Sequence, residues 1–151
     1  MSKSLEILDM YSQNEIAHKD EIAVLGASLR EIEQKLLKQS QNTGITRLWF
    51  QGEEPYFDVF FELKNDEILW FQLTLRGKAI SWDSKKLKFQ TGTTNELHDN
   101  DVSFYAASKT IENDMQTDWE FVNLAKLILQ TRADETIFAK ALELFNCQNK
   151  Q

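Results

Sequence analysis

Little in this chain of 151 residues cross-links or punctuates it: one cysteine, one proline and five glycines stand against ten phenylalanines and four tryptophans. With Cys147 alone, no intramolecular disulfide can form. The fold must be held by burial, and a reducing, cytoplasmic setting is expected. Gly26, Gly44, Gly52, Gly77 and Gly92 are isolated from one another, so neither a phosphate-cradling loop nor a dinucleotide fingerprint can be written. His18 and His98 are the only histidines, and no Gly-x-Ser-x-Gly elbow is present, which leaves little from which to assemble a nucleophilic site. No apolar run approaches the roughly 18 residues of a membrane span. Glu6 and Asp9 fall where a secretory signal needs an uncharged core, so export by that route is not expected. No cofactor is implied.

The net charge is −7, and its location says more than its size. Between Thr93 and Glu120 the acids Glu96, Asp99, Asp101, Glu112, Asp114, Asp118 and Glu120 face Lys109 alone. The region from Ile45 to Gly92 is balanced. A phosphate backbone would be repelled by the acidic segment, so nucleic acid is not an expected partner; a basic protein would suit the charge.

What the chain has in quantity is aromatic, alternating sequence. Tyr56 to Leu75, YFDVFFELKNDEILWFQLTL, reads as a β-hairpin reversing through Lys64-Asn65-Asp66-Glu67, because Asn and Asp tolerate the backbone angles of a tight turn. Phe57, Val59, Phe61 and Leu63 share one face of its first strand, and Tyr56, Asp58, Phe60 and Glu62 the other. In the second, Leu69, Phe71, Leu73 and Leu75 oppose Ile68, Trp70, Gln72 and Thr74. Ile45 to Gln51 reads as a strand before the hairpin. Ala79 to Asp83 and Leu87 to Gln90 read as strands after it, and Val102 to Ala107 alternates weakly as one more.

Helices are expected at both ends. Over 4–39, spacings of three and four place Ile22, Leu25, Leu29, Ile32 and Leu36 on a stripe that either caps one face of the sheet or forms the seam of a homodimer. Ser12 to Glu15 fits a capping box inside this region, and Thr117-Asp118-Trp119-Glu120 fits a second. Trp119 to Gln130 is apolar nearly all round and is expected to be largely buried. A final helix, capped by Asp134, is expected from there to Asn146. The chain thus reads as one α+β domain over 1–151: helical 4–39, a meander of roughly four or five antiparallel strands over 45–92, and a helical pair over 117–146. In outline, a long helix, an antiparallel meander and closing helices are similar to bacterial secretion chaperones and other small adaptor proteins.

Two constellations could carry function. On the mixed face of a simple meander, Trp49, Tyr56, Phe60 and Trp70 fall together, covered by a helix or left open as a binding patch. Glu96, His98, Asp99 and Asp101 offer one imidazole and three carboxylates to a divalent metal, or form a solvated acidic loop. The expectation is a non-enzymatic protein-interaction module, adaptor-, chaperone- or immunity-like, using aromatics and its acidic segment. The alternative is a small-ligand-binding or metal-dependent hydrolytic protein with a pocket between the sheet and the C-terminal helices.

Overall fold

The structure, a computed structural model, describes residues 19–33, 44–94 and 111–149. Helix α1 covers 19–28, followed by strands β1 (Arg30–Glu31), β2 (Ile45–Gln51), β3 (Asp58–Lys64), β4 (Glu67–Leu75), β5 (Lys78–Asp83), β6 (Lys88–Thr94) and β7 (Ile111–Asn113), then α2 (Trp119–Gln130) and α3 (Thr136–Asn149). The seven strands form one sheet in chain order, β1-β2-β3-β4-β5-β6-β7, each pair antiparallel. The α+β class is therefore as expected, but the strand count is higher. The short edge strands β1 and β7 lack the alternation that marks a strand in sequence, and Val102 to Ala107 lies outside the described residues.

The turns explain the order. Asn65 and Asp66 have φ of 52° and 65°, and Arg76 and Gly77 have 53° and 81°. Both are two-residue reversals with positive φ at each central position, whose twist matches that of the flanking strands. Between β5 and β6, Asp83 nucleates the loop: its carbonyl accepts from Lys86 N at 3.0 Å and Leu87 N at 2.8 Å, and its Oδ1 accepts from Lys85 N at 2.8 Å. Leu87 then takes φ 55° and is 65% exposed.

The hairpin of β3 and β4 carries one irregularity. Glu62 pairs Trp70 but Leu63 pairs Ile68, so Leu69 is an extra residue, a bulge that reverses the facing of everything between it and the turn. Ile68 consequently lies in the core rather than beside Trp70, as strict alternation had it.

One face of the sheet holds the core. Phe50, Val59, Phe61, Phe71, Leu73, Ile80, Trp82 and Phe89 form a single buried cluster with residues of all three described helices. Phe138 of α3 sits 4.8 Å from the ring of Phe50 and 6.0 Å from that of Phe61, while Phe145 lies 4.4 Å from Phe89 and 6.2 Å from Phe71. Fully burying a side chain of this size contributes about 1.5–3 kcal/mol, which makes these rings the main source of stability.

The long N-terminal helix expected over 4–39 is not what the described residues show. Helix α1 stops at 28, and the chain turns at once into β1, where Ile32 N also donates to Trp49 O at 2.8 Å. The side chain of Arg132, from the α2–α3 turn, ends the helix: its Nη1 donates to Gly26 O and Leu29 O, each at 2.8 Å. Carbonyls that a longer helix would bond internally are taken by a cation. Ile22, Leu25 and Leu29 are all buried in the core cluster, so here the stripe caps the sheet; Leu36 and Ser12 to Glu15 lie outside the described residues.

The C-terminal helices also differ in their caps. Asp118, not Thr117, is the N-cap of α2, its Oδ1 accepting from Phe121 N at 3.1 Å. It is held there from two sides, with Asp118 N donating to Thr91 Oγ1 at 2.9 Å and Lys78 Nζ reaching Asp118 Oδ2 at 2.8 Å. Helix α3 begins at Thr136 rather than Asp134, because 131–134 form the turn that carries Arg132. Among the described residues no helix is long and apolar enough to cross a membrane.

Candidate functional site

The face of the sheet turned away from the helices is organised in rows across the strands. Trp49, Phe60, Gln72, Ser81 and Gln90 are successive partners on β2 to β6, and Arg47, Glu62, Trp70, Asp83 and Lys88 form the adjacent row. Three of the four aromatics singled out by alternation meet here. Trp49 and Phe60 stack with ring centroids 5.6 Å apart at 16°, and Phe60 meets Trp70 at 6.5 Å and 36°. All three are half-buried, and none belongs to the core cluster that α1, α2 and α3 share. Tyr56 occupies the turn before β3 with φ 63°, where strand alternation does not apply.

The ladder is fixed by neighbours on its own face. Trp49 Nε1 donates to Asp58 Oδ1 at 2.9 Å, and Asp58 is only 1% exposed. Arg47 Nε donates to Glu62 Oε2 at 3.0 Å, closing one end of the strip with an exposed ion pair. On the far side Gln90 Nε2 donates to Thr91 O at 2.8 Å and to Asp114 O at 3.2 Å, tying the amide down. Sequence reasoning missed Asp58 as the group that orients Trp49. The signal was present: a carboxylate alternating with apolar residues on a strand needs a donor, and an indole on the neighbouring strand supplies one.

Rings that stack on one another present edges more than faces to solvent. They offer apolar area and π-edges on this face. The strip has rings, amides and ion-paired charges but no pairing of nucleophile and base. Among the described residues no three His, Cys, Asp or Glu side chains are grouped so as to hold a metal. Glu96, His98, Asp99 and Asp101 lie outside the described residues.

A second concavity lies where α1 meets two loops. A cleft of about 310 Å³ is lined by Asp20, Glu21, Val24, Leu25, Ser28, Glu53, Glu54 and Arg76. Arg76 bridges it, with Nε donating to Glu54 Oε1 at 2.9 Å and Nη2 to Glu54 Oε2 at 2.6 Å and Glu21 Oε2 at 3.0 Å. These hydrogen bonds hold the Glu54 carboxyl below its ordinary range and push the guanidinium up. Between the sheet and α3, in the region where a ligand pocket was the alternative expectation, Phe50, Phe61, Phe71, Phe89, Phe138 and Phe145 belong to one buried cluster.

Compared with family models, curated proteins and solved structures, the chain matches none.

Proposed function

We propose that this chain is a non-enzymatic protein-interaction module of the cytoplasm, adaptor-, chaperone- or immunity-like, and that the sheet face bearing Trp49, Phe60 and Trp70 contacts its protein partner. The ladder of three rings outside the shared core carries this reading. A sheet that already buries one face against three helices has little need of three large aromatics on the other beyond their cross-strand stacking and the Trp49 bond to Asp58. Rings held by Asp58 and the strand register supply contact area at small entropic cost, as interface hot spots do.

The test is affinity capture from native cells with quantitative mass spectrometry, using wild-type bait beside Phe60→Thr and Trp70→Thr, threonine being well tolerated on a strand. Loss of the same protein from both variants, with melting curves that remain cooperative, is expected. An unchanged set of captured proteins would overturn the assignment of the face. A small-ligand reading is favoured by one observation, the cleft at α1; a ligand-induced melting shift abolished by Val24→Trp but kept in Trp70→Thr would establish it instead.

A further inference from the structure

Helix α2 reads from its sequence as apolar on nearly every side, yet the structure does not bury it evenly. Phe121, Val122, Ala125, Ile128 and Leu129 enter the core, while Trp119 is 61% exposed; four residues earlier Met115 is 102% exposed. Met115 stands on the short connection from β7 to α2 and Trp119 is the first residue of the helix, and the connection between them is pinned. Asp114 N donates to Thr91 O at 2.9 Å, and Asp118 N to Thr91 Oγ1 at 2.9 Å. Met115 is thus held out in water between two tied backbone positions, and Trp119 by the capped start of α2, which lowers the ordering cost of anything that docks there.

The surroundings are strongly of one sign. Lys78, Thr93 and Glu112 are successive partners across β5, β6 and β7, so Glu112 shares the face of Lys78. Lys78 is bonded to Asp118 at 2.8 Å. Its ammonium is held protonated beyond its usual range by the Asp118 hydrogen bond first, with the fields of Glu120 and Asp114 adding to it. Among the described residues, Asp114, Asp118 and Glu120 thus act on Lys78, a cation already engaged, and Glu112 lies on the same face of the sheet. The N-terminus of α2 contributes only about half a positive charge, too little to reverse this balance.

We propose that this corner docks an arginine-bearing segment of a protein partner, with a guanidinium stacked on Trp119 and bonded to the carboxylates of Glu120 and its neighbours, and an apolar side chain against Met115. Arginine fits better than lysine, since its planar fork can lie on an indole while bonding a carboxylate bidentately. The inference rests on the chain's being a binding module but uses a surface separate from the ladder, and it specifies the partner's chemistry.

The probe is a synthetic peptide of alternating arginine and leucine, titrated into the isotope-labelled full chain and followed by two-dimensional NMR, with a glutamate-for-arginine peptide as control. The expected result is a shift of the Trp119 indole N–H and of backbone amides over 112–120, with no response to the control. Trp119→Ala weakens binding about fivefold or more, consistent with loss of a cation–π stack. Asp114→Asn with Glu120→Gln weakens it further and flattens its salt dependence. Trp119 is exposed, so its variant retains the wild-type melting temperature, and Met115→Ala provides a second variant. Phe60→Thr and Trp70→Thr leave peptide binding unchanged, which separates failure here from failure of the ladder. Shifts centred on the ladder or on Asp20 and Glu53, affinity indifferent to Trp119→Ala, or a concentration-dependent Trp119 shift without peptide, indicating a second copy, would each overturn the proposal.

Discussion

Replacing Arg132 with methionine should release α1 from the rest of the protein. The guanidinium donates from Nη1 to the carbonyls of Gly26 and Leu29, bonds Glu135 through Nε and Nη2, and lies 5.2 Å from the centre of the Phe138 ring. Methionine preserves much of the stem's packing and removes every donor. A hydrogen bond from a charged donor contributes about 1.5–3 kcal/mol. With the Arg132 side chain 20% exposed, water recovers part of that, so the two carbonyl bonds together are assigned about 1.5–3 kcal/mol. Loss of the cation–π contact adds about 0.5–1 kcal/mol. Glu135 is 40% exposed and rehydrates. The total of about 2–4 kcal/mol corresponds to a fall in melting temperature of roughly 5–12 °C for a domain this size. Urea unfolding measures the first figure, calorimetry the second. Native-state hydrogen exchange locates the damage, because amides over 19–28 should lose protection before those of β3 and β4. A loss under about 0.5 kcal/mol, within the range of an ordinary surface change, would refute the capping role; so would exchange that rises uniformly across the sheet.

Gly26→Ala should cost about 1–3 kcal/mol, because the new Cβ would sit 1.8 Å from Thr131 Oγ1. Combined with Arg132→Met it should cost less than the sum, since both act on α1 docking; a double-mutant cycle in urea checks this. Leu87→Asn should stabilise by about 0.5–1 kcal/mol, because an exposed leucine at φ 55° gives way to a residue that tolerates it, read as a higher urea midpoint. Asp118→Ala should cost about 1 kcal/mol through the lost cap. Asp118 and Glu54 both titrate below their ordinary range, Asp118 through Lys78 and then the Phe121 N–H, Glu54 through Arg76. Their stabilisation is complete above the unfolded carboxylate range and is lost as pH falls through the lower folded values. Stability measured in urea should therefore decline on acidification, less steeply in Asp118→Asn.

The middle of the fold was legible because its signals are local. Alternation over Tyr56 to Leu75 and turn residues at Asn65-Asp66 placed β3, β4 and their reversal within two residues, and brought Trp49, Phe60 and Trp70 to one face. The bulge at Leu69 was not legible, since nothing in the pattern distinguishes an extra residue from a regular one. The end of α1 was hidden for another reason. The apolar spacing from Ile22 to Leu36 continues past Ser28, and the group that stops the helix, Arg132, lies 103 residues beyond Leu29 in the chain. Trp119 illustrates the opposite error: helical pattern expected burial, and the packing of Phe121 and Val122 left it outside. The histidine and acids around residue 98 lie outside the described residues.

Helices from both ends seal the same side of the sheet, and this orders events during synthesis. The ribosome delivers residues in sequence at about 5–20 per second, so all seven strands are made before Phe138 and Phe145. Hairpins can close as they emerge, but Phe50, Phe61, Phe71 and Phe89 remain wetted until α3 arrives. A nascent sheet in that condition is a natural client for holding factors that shield oily surfaces, and translational pausing ahead of Thr136 would lengthen its exposure to aggregation.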